Sequence, residues 1–302
     1  MKNLCNICPR NCLVDRNLKL GFCKASNKIK ISKVMLHYFE EPPISGEDTP
    51  EKKANGSGTI FFSSCNLGCI YCQNFDISSR CKGKEISIEK LVDIMKQLED
   101  AGANNINMVT PTHYTLQIIE ALKIYKPKIP IVWNTSGYEK PETIKLLEGL
   151  VDIFLTDFKY FDNNLSKKFS LAENYPENCK SSILQMRKNV PDDIFENGLM
   201  KKGIIIRHLV LPNQTKDSLN IINWINENLG NKTYFSLMSQ YTPVYKSKTI
   251  TEINRKITPL EYKILVKKLK NLNFTNVFLQ ELESASSVYT PDFNSNDSKF
   301  DY

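Results

Sequence analysis

Three cysteines close together in the chain have the types and spacing of ligands for an iron–sulfur cluster. Cys65, Cys69 and Cys72 form a C-x3-C-x2-C motif, and Gly68 between them allows the backbone to bend tightly. A 4Fe–4S cluster normally has four cysteine ligands, so three local thiolates would leave one iron open to an exogenous ligand. Two alternatives remain open: a zinc ion with three protein ligands and a water, although no His is nearby, and three small buried residues without a metal.

A second group of cysteines lies near the N-terminus. Its members are Cys5, Cys8, Cys12 and Cys23. Four thiolates at this spacing are enough for an all-cysteine zinc site or for an auxiliary iron–sulfur cluster, and unmetallated thiols are the third option. We expect the remaining two, Cys81 and Cys179, to be ordinary buried residues.

Composition and charge narrow the class of protein. The chain has 302 residues, of which 41% are hydrophobic and 24% charged, as in folded globular proteins. Its net charge of +7 is a mild bias toward anionic ligands, so we expect no specific nucleic-acid partner. The sequence begins without an apolar signal segment and has no long apolar run, which predicts a cytoplasmic protein without a membrane partner. In a reducing compartment, an odd count of nine cysteines favours metal ligation over disulfides.

Short apolar runs alternate with helical patterns from Thr59 to about Glu281. The predicted strands are Thr59–Ser64, Asn105–Thr110, Ile129–Thr135, Asp152–Lys159, Gly203–Leu211, Tyr234–Gln240 and Asn276–Gln280. An N-cap at Ser87 and a capping box at Thr258–Glu261 mark the starts of two helices. Because this alternation is typical of parallel sheets with right-handed crossovers, we predict an α/β fold, a partial (β/α)6 TIM-type barrel.

The chain divides into three parts on this basis. Residues 1–58 form a short cysteine-rich N-terminal module, loop-like except for an apolar piece around Ile29–Phe39. Residues 59–282 form the partial barrel. Residues 283–302, rich in Ser, Asp and Asn, are predicted to be a polar C-terminal tail.

Polar side chains stand at the predicted carboxyl ends of the strands, where a packed core would prefer apolar ones. They are Thr110, Thr112, Asn134, Ser136, Asp157, Lys159 and Arg207. Active sites of β/α barrels lie at this face, and the three-cysteine motif directly follows the first predicted strand. We therefore expect these residues to converge on one site, although Asp157 and Lys159 alone could be a surface ion pair.

The three-cysteine motif at the end of the first strand resembles the signature of the radical S-adenosylmethionine (SAM) superfamily. Three further segments, Glu40–Gly46, Gly56–Phe62 and Cys72–Asn74, resemble its pyruvate formate-lyase activating enzyme-like branch, in particular stand-alone members with a cysteine-rich N-terminus. The resemblance covers nearly the whole chain except the tail and an insertion around Glu47–Asn55. It implies a radical SAM partial barrel, a 4Fe–4S cluster on the motif, SAM as cofactor and an oxidoreductase activity.

The resemblance also implies a reaction and partners. The amino and carboxylate groups of SAM would chelate the open iron, and the reduced cluster would donate one electron to the sulfonium. The carbon–sulfur bond would then break, releasing methionine and a 5′-deoxyadenosyl radical that abstracts hydrogen from the substrate. The implied partners are an electron donor such as flavodoxin or ferredoxin and, for an activase, a glycyl radical enzyme or another protein substrate.

The residues that would contact SAM follow from the same resemblance. Asn134 and Ser136 would lie near the ribose or adenine. Asp157 and Lys159 match a family Asp-x-Lys that contacts the ribose and methionine portions. Arg207 takes the place of an Arg that faces the methionine carboxylate, a group suited to a bidentate guanidinium.

The second strand end departs from the family pattern. It usually reads Gly-Gly-Glu-Pro and holds the methionine amino group. Here Thr110 and Thr112 offer hydroxyls but no carboxylate, so the amino group must be held differently.

Two other functions stay open. One is radical modification of another peptide or metabolite. The other is a metal-stabilised binding or electron-transfer protein in which both cysteine groups are structural. That function predicts a fourth ligand for the Cys65 group and an apolar set of strand ends.

Overall fold

A computed structural model of the chain describes residues 4–49, 54–282, 291–293 and 299–302. Its strands are β1 (Ile29–His37), β2 (Ser57–Phe62), β3 (Lys84–Ile86), β4 (Ile106–Val109), β5 (Ile131–Thr135), β6 (Ile153–Asp157), β7 (Ile194–Glu196), β8 (Leu199–Leu209), β9 (Tyr234–Met238) and β10 (Val277–Leu279). Its helices are α1 (Pro42–Ser45), α2 (Phe75–Ser78), α3 (Ile88–Asp100), α4 (Thr115–Ile124), α5 (Pro141–Lys145), α6 (Asn163–Ser170), α7 (Tyr175–Asn189), α8 (Thr215–Leu229) and α9 (Pro259–Asn271). No helix in these described ranges is long and apolar enough to cross a membrane.

The strands form one curved sheet in the order β10-β9-β8-β6-β5-β4-β2-β1-β3, with β7 paired to β8. Along this order, the neighbouring strands from β2 to β10 are parallel to one another. β1 is antiparallel to β2 and β3, and β7 is antiparallel to β8. Within the described chain the two edge strands, β3 and β10, do not pair with each other. The predicted α/β fold is therefore confirmed, as an open partial barrel.

The parallel strands overlap the predicted positions, and the central ones, β2 to β6, are buried on both faces. Such strands appear in a sequence as continuous apolar runs, and every residue of β2 is buried. β8 begins earlier than predicted, because it extends into a hairpin with β7 through a turn at Asn197 and Gly198, both at positive φ. The predicted caps are also present: Ser87 accepts from Lys90 N at 3.1 Å, and α9 begins with the capping box.

The N-terminal region contains a strand that the sequence did not predict. β1 pairs with β2 from Ile31 opposite Phe62 to His37 opposite Ser57, with a register shift between Ile31 and Lys33. This irregularity breaks the alternation of buried and exposed positions, which hides the strand in the sequence. The apolar piece around Ile29–Phe39 is therefore a strand of the barrel sheet.

Helix α1 closes the barrel at the amino ends of the parallel strands. Ile44 is fully buried in a separate core cluster with Val132, Ile153, Leu155, Met200 and Ile205. The helix is anchored from β4, because Asn105 Nδ2 donates to Ile44 O at 2.8 Å and Asn104 Nδ2 to Ser45 O at 2.7 Å. Side chains around Ile44 thus fill the interior at the amino ends of the strands.

Part of the predicted tail can be placed. Residues 283–290 and 294–298 lie outside the described residues, as do residues 50–53 of the insertion. The last residues lie against the antiparallel edge: Tyr302 Oη donates to Ser32 O at 3.2 Å, and Lys84 Nζ donates to Tyr302 O at 2.8 Å.

Candidate active site

A cleft of about 600 Å³ opens at the carboxyl ends of the parallel strands. Its lining includes most of the residues that the sequence singled out: Cys65, Cys69, Cys72, Thr110, Asn134, Ser136, Asp157, Lys159 and Arg207. The strand ends therefore bring the three-cysteine motif and the polar ring to one place.

The motif forms the loop after β2, and each sulfur has a hydrogen-bonding group beside it. These groups are Leu67 N at 3.4 Å from Cys65 Sγ, Ser170 Oγ at 2.9 Å from Cys69 Sγ, and Ser78 Oγ at 3.2 Å from Cys72 Sγ. Donors of this kind stabilise a thiolate over a thiol. The set is suited to sulfur atoms that ligate a metal cluster.

The three sulfurs need a positive charge between them if they are to be deprotonated, because their surroundings favour the neutral thiol. Burial is the main cause of a raised pKa at both Cys65 and Cys72, and repulsion from Cys69 is the second. The pKa of Cys72 is raised to about 11. Ligand thiols must be deprotonated, so a cationic metal centre has to compensate for the burial. The donor set of three half-buried thiols fits the 4Fe–4S cluster that the resemblance implies.

A single metal ion fits less well. Among the residues that the structure describes, no three His, Cys, Asp or Glu side chains are arranged to hold one ion. In a 4Fe–4S cluster each thiolate binds a different iron, so the ligands spread around a larger body.

Gly68 is required for packing against the end of α6. A methyl group at this position would lie 2.9 Å from Leu171 Cδ1. The loop is bound there by its backbone, since Gly68 N donates to Ser170 O at 3.0 Å and Ile70 N to Phe169 O at 2.9 Å. Helix α6, which no sequence motif marked, therefore supports the cysteine loop.

Asp157 and Lys159 form an ion pair of 2.5 Å inside the cleft. Burial alone would lower the pKa of Lys159, but Asp157 and Cys69 raise it above its usual value. The Lys159 side chain is only 16% exposed, so the pair is not a surface ion pair. The hydroxyl of Tyr175 holds this strand end, because it accepts from Lys159 N at 2.9 Å and donates to Ser136 O at 2.8 Å.

The two threonines at the end of β4 take different places. Thr110 lines the cleft at a φ of 58°, which is unusual for a β-branched residue. Thr112 does not line it: its hydroxyl donates to Oε1 of the buried Glu139 at 2.7 Å, as does that of Thr135 at 2.6 Å. Thr112 was expected to converge on the site with the other polar residues, and this prediction is wrong, because its side chain is buried against Glu139 beyond the turn at Thr110.

Arg207 lies in the cleft with two carboxylates from the segment before α1. Its Nε donates to Glu41 Oε1 at 2.9 Å, and its Nη2 contacts both Glu40 and Glu41. Nη1 of Arg207 makes no hydrogen bond to any described residue. It is therefore the guanidinium nitrogen that is available to a ligand. The sequence suggested the Arg but not its partners, which lie more than 160 residues away in the chain.

The four N-terminal cysteines are brought together. The pKa of Cys8 is raised to about 12, mainly by burial and also by repulsion from Cys23 and Cys5, which lie near it. Phe22 N donates to Cys12 Sγ at 3.3 Å, and Cys5 N donates to Val14 O at 2.9 Å. None of the four forms a disulfide bond.

This cysteine module packs directly on the loop of the three-cysteine motif. Arg10, between Cys8 and Cys12, donates through Nε to Asn66 O at 2.8 Å. Its guanidinium also stacks on the Phe22 ring at 3.6 Å. The two cysteine groups are therefore neighbours in space, joined by one arginine.

Comparison with known proteins agrees with this geometry. The model of the radical SAM superfamily matches residues 59–225. The uncharacterised protein MJ0674 of Methanocaldococcus jannaschii is 33% identical over 264 residues, which cover 84% of this chain and 70% of that protein.

Among solved structures, SuiB of Streptococcus suis bound to S-adenosylmethionine is similar with a TM-score of 0.50 and 15% identity, covering 73% of this chain and 49% of that one. HydG, a maturase of the FeFe-hydrogenase, has a TM-score of 0.50 and 14% identity, covering 70% and 48%. At this identity the likeness shows the fold, and the chain spans about half the length of these two proteins. From the matched residues, the fold and the cysteine-lined cleft, we conclude that the chain belongs to the radical SAM superfamily.

Proposed function

We propose that the chain is an enzyme that reductively cleaves SAM with a 4Fe–4S cluster held by Cys65, Cys69 and Cys72. The observation that carries this proposal is one cleft shared by the three thiols and the Asp157–Lys159 pair. When bound, the cluster and SAM supply a 5′-deoxyadenosyl radical for hydrogen abstraction from the substrate.

The residues of the chain would bind and orient SAM. Asp157 has acceptor oxygens for ribose hydroxyls, and Asn134 and Ser136 line the neighbouring strand end. Arg207 Nη1 is suited to the methionine carboxylate. Thr110 is the residue at the second strand end that can meet the amino group, through its hydroxyl or its carbonyl.

Within this chemistry we favour an activase that installs a glycyl radical on a partner enzyme, with flavodoxin or ferredoxin as electron donor, in the reducing cytoplasm. The sequence of Glu40–Gly46 and Cys72–Asn74 supports this choice. Radical modification of another peptide or metabolite is the second candidate. It is favoured by the second strand end, where Thr110 stands without a carboxylate.

The N-terminal cysteines are proposed to bind a metal centre of their own. Their grouping around Cys8 and Cys23, both buried, supports this. An auxiliary cluster and a zinc ion are the two candidates, because four thiolates are enough for either centre. Replacing the four cysteines by Ala should remove about four irons per chain if a cluster is bound, and none if the site holds zinc or no metal.

The main test is anaerobic reconstitution with iron and sulfide, followed by reduction in the presence of SAM. We expect 5′-deoxyadenosine from the wild type and from the control Cys81→Ala, and none from Cys69→Ala. Equal product from Cys69→Ala would refute the proposal. The activase assignment requires, in addition, a glycyl-radical spectrum on a glycyl radical enzyme from the same cell.

A further inference from the structure

The deep end of the cleft carries two carboxylates that share one guanidinium. We call Glu40 and Glu41 the acidic floor, because they directly precede α1 and line the deep end of the cleft. Both contact Arg207 Nη2, and Arg207 Nε binds Glu41 as well. Two negative groups are thus set against one positive group.

The excess of negative charge remains when all the charged residues that line the cleft are counted. Apart from the cysteines, the charged residues of the cleft are Glu40, Glu41 and Asp157 on one side and Lys159 and Arg207 on the other, a difference of one negative charge. Burial alone would raise the pKa of Glu40, but Arg207 lowers it below its usual value, so this carboxylate is ionised. His37 adds no positive charge, because burial lowers its pKa.

Two buried polar atoms beside Glu40 lack a hydrogen-bond partner. One is Nδ1 of His37, a residue only 7% exposed, and this atom lies 3.9 Å from Glu40 Oε1. The other is Oδ1 of the fully buried Asn107, whose Nδ2 donates to the same Glu40 oxygen at 2.9 Å. Buried polar atoms in native proteins are nearly always paired. His37 lines the cleft, whereas Asn107 does not, so the unpaired Nδ1 of His37 beside Glu40 indicates a place for a ligand.

We propose that the acidic floor binds a positively charged group of the substrate, an alkylammonium or guanidinium. Such a group brings several N–H donors and no acceptor, which suits the carboxylate oxygens of Glu40 and Glu41 and the unpaired Nδ1 of a neutral His37. It also cancels the surplus charge. This inference rests on the proposed function only in naming the ligand as the substrate of that reaction.

The cation has two possible sources, a free amine and a lysine or arginine side chain of a peptide. The probes are therefore n-butylammonium, Nα-acetyl-lysine methylamide, n-butylguanidinium, neutral n-butanol and anionic butyrate. Each is titrated calorimetrically into the full chain, reconstituted and saturated with SAM, without reductant. Tighter binding of the lysine amide than of butylammonium assigns the peptide source, and the reverse assigns the free amine.

We expect at least one cationic probe to bind at least tenfold more tightly than butanol or butyrate. Glu40→Gln should weaken that binding at least tenfold, whereas Glu120→Gln, a matched change on the exposed side of α4, should leave it unchanged. Equal binding of cationic and neutral probes to the wild type would overturn the inference, and this comparison needs no variant.

Affinity for SAM itself, measured in the same variants, must change less than affinity for the cation. If Glu40→Gln weakens only SAM, the floor serves the cofactor and the inference fails.

The double variant Glu40→Gln/Glu41→Gln provides a check that a merely structural role would not pass. With Arg207 left as the surplus charge, preference should reverse toward butyrate, provided that thermal unfolding shows a folded chain. These titrations involve no SAM cleavage. Failure to form 5′-deoxyadenosine would therefore refute the proposed function alone, and failure to prefer cations would refute this inference alone.

Discussion

Replacing Gly137 by Ala should distort the cleft through the strand beside it. Gly137 follows β5 with a φ of 76°, and an added methyl would lie 2.2 Å from the carbonyl oxygen of Asp157. Gly149 is a matched control, because its φ is 74° and nothing lies within 4 Å of the same position. The left-handed conformation costs both variants about 1–2 kcal/mol. The steric overlap adds roughly 1–3 kcal/mol at Gly137 only.

Urea unfolding followed by circular dichroism measures this difference. With a slope of about 3 kcal/mol per M, an extra 2 kcal/mol moves the midpoint of Gly137→Ala roughly 0.7 M below that of Gly149→Ala. Formation of 5′-deoxyadenosine should fall in Gly137→Ala as well, since displacing Asp157 moves the partner of Lys159. Equal midpoints for the two variants would contradict the reasoning, because the overlap would then have no energetic effect.

Three further changes test other parts of the structure. Gly21→Ala places a methyl 2.8 Å from Cys12 Sγ, so the metal content of the N-terminal site, measured by mass spectrometry, should fall. Lys159→Met removes the cation beside Asp157, and the KM for SAM in steady-state assays should rise at least about tenfold, or 1.4 kcal/mol. Burial raises the pKa of Asp217 from 3.8 to about 6. Because the folded state holds this proton more tightly, its contribution to stability is full below about pH 4 and is lost as pH rises through 6. The difference in unfolding free energy between the wild type and Asp217→Asn should follow that course, and a difference independent of pH would contradict it.

The sequence predicted the parts of the site that depend on local spacing. Cys65, Cys69 and Cys72 lie in one loop, so their positions in the chain determine their proximity. The strand ends were also predictable, because parallel strands buried on both faces leave continuous apolar runs and their carboxyl ends share one edge. Asn134 and Asp157 reached the cleft for this reason.

The other parts depend on geometry that no local pattern contains. Thr112 was expected in the cleft. The chain turns at Thr110, which has a left-handed conformation, and the Thr112 side chain lies against Glu139 instead. Glu139, which accepts the Thr112 hydroxyl, lies in a different loop and has no motif. The pairing of Arg207 with Glu40 joins segments 167 residues apart in the chain, and only the folded barrel brings them into contact.

Strand β1 links the cysteine module to the acidic floor by a single stretch of chain. Since β1 is antiparallel to β2, it starts beside the carboxyl ends of the parallel strands and descends about 30 Å before α1. The smallest unit that can be expressed with a complete cleft is therefore larger than the matched residues 59–225. A fragment starting at residue 59 would leave Arg207 without its carboxylates and would expose Ile205 and Ile153 where Ile44 now packs. A chimera that exchanges N-terminal segments between relatives would change the charge of the cleft along with the cysteines.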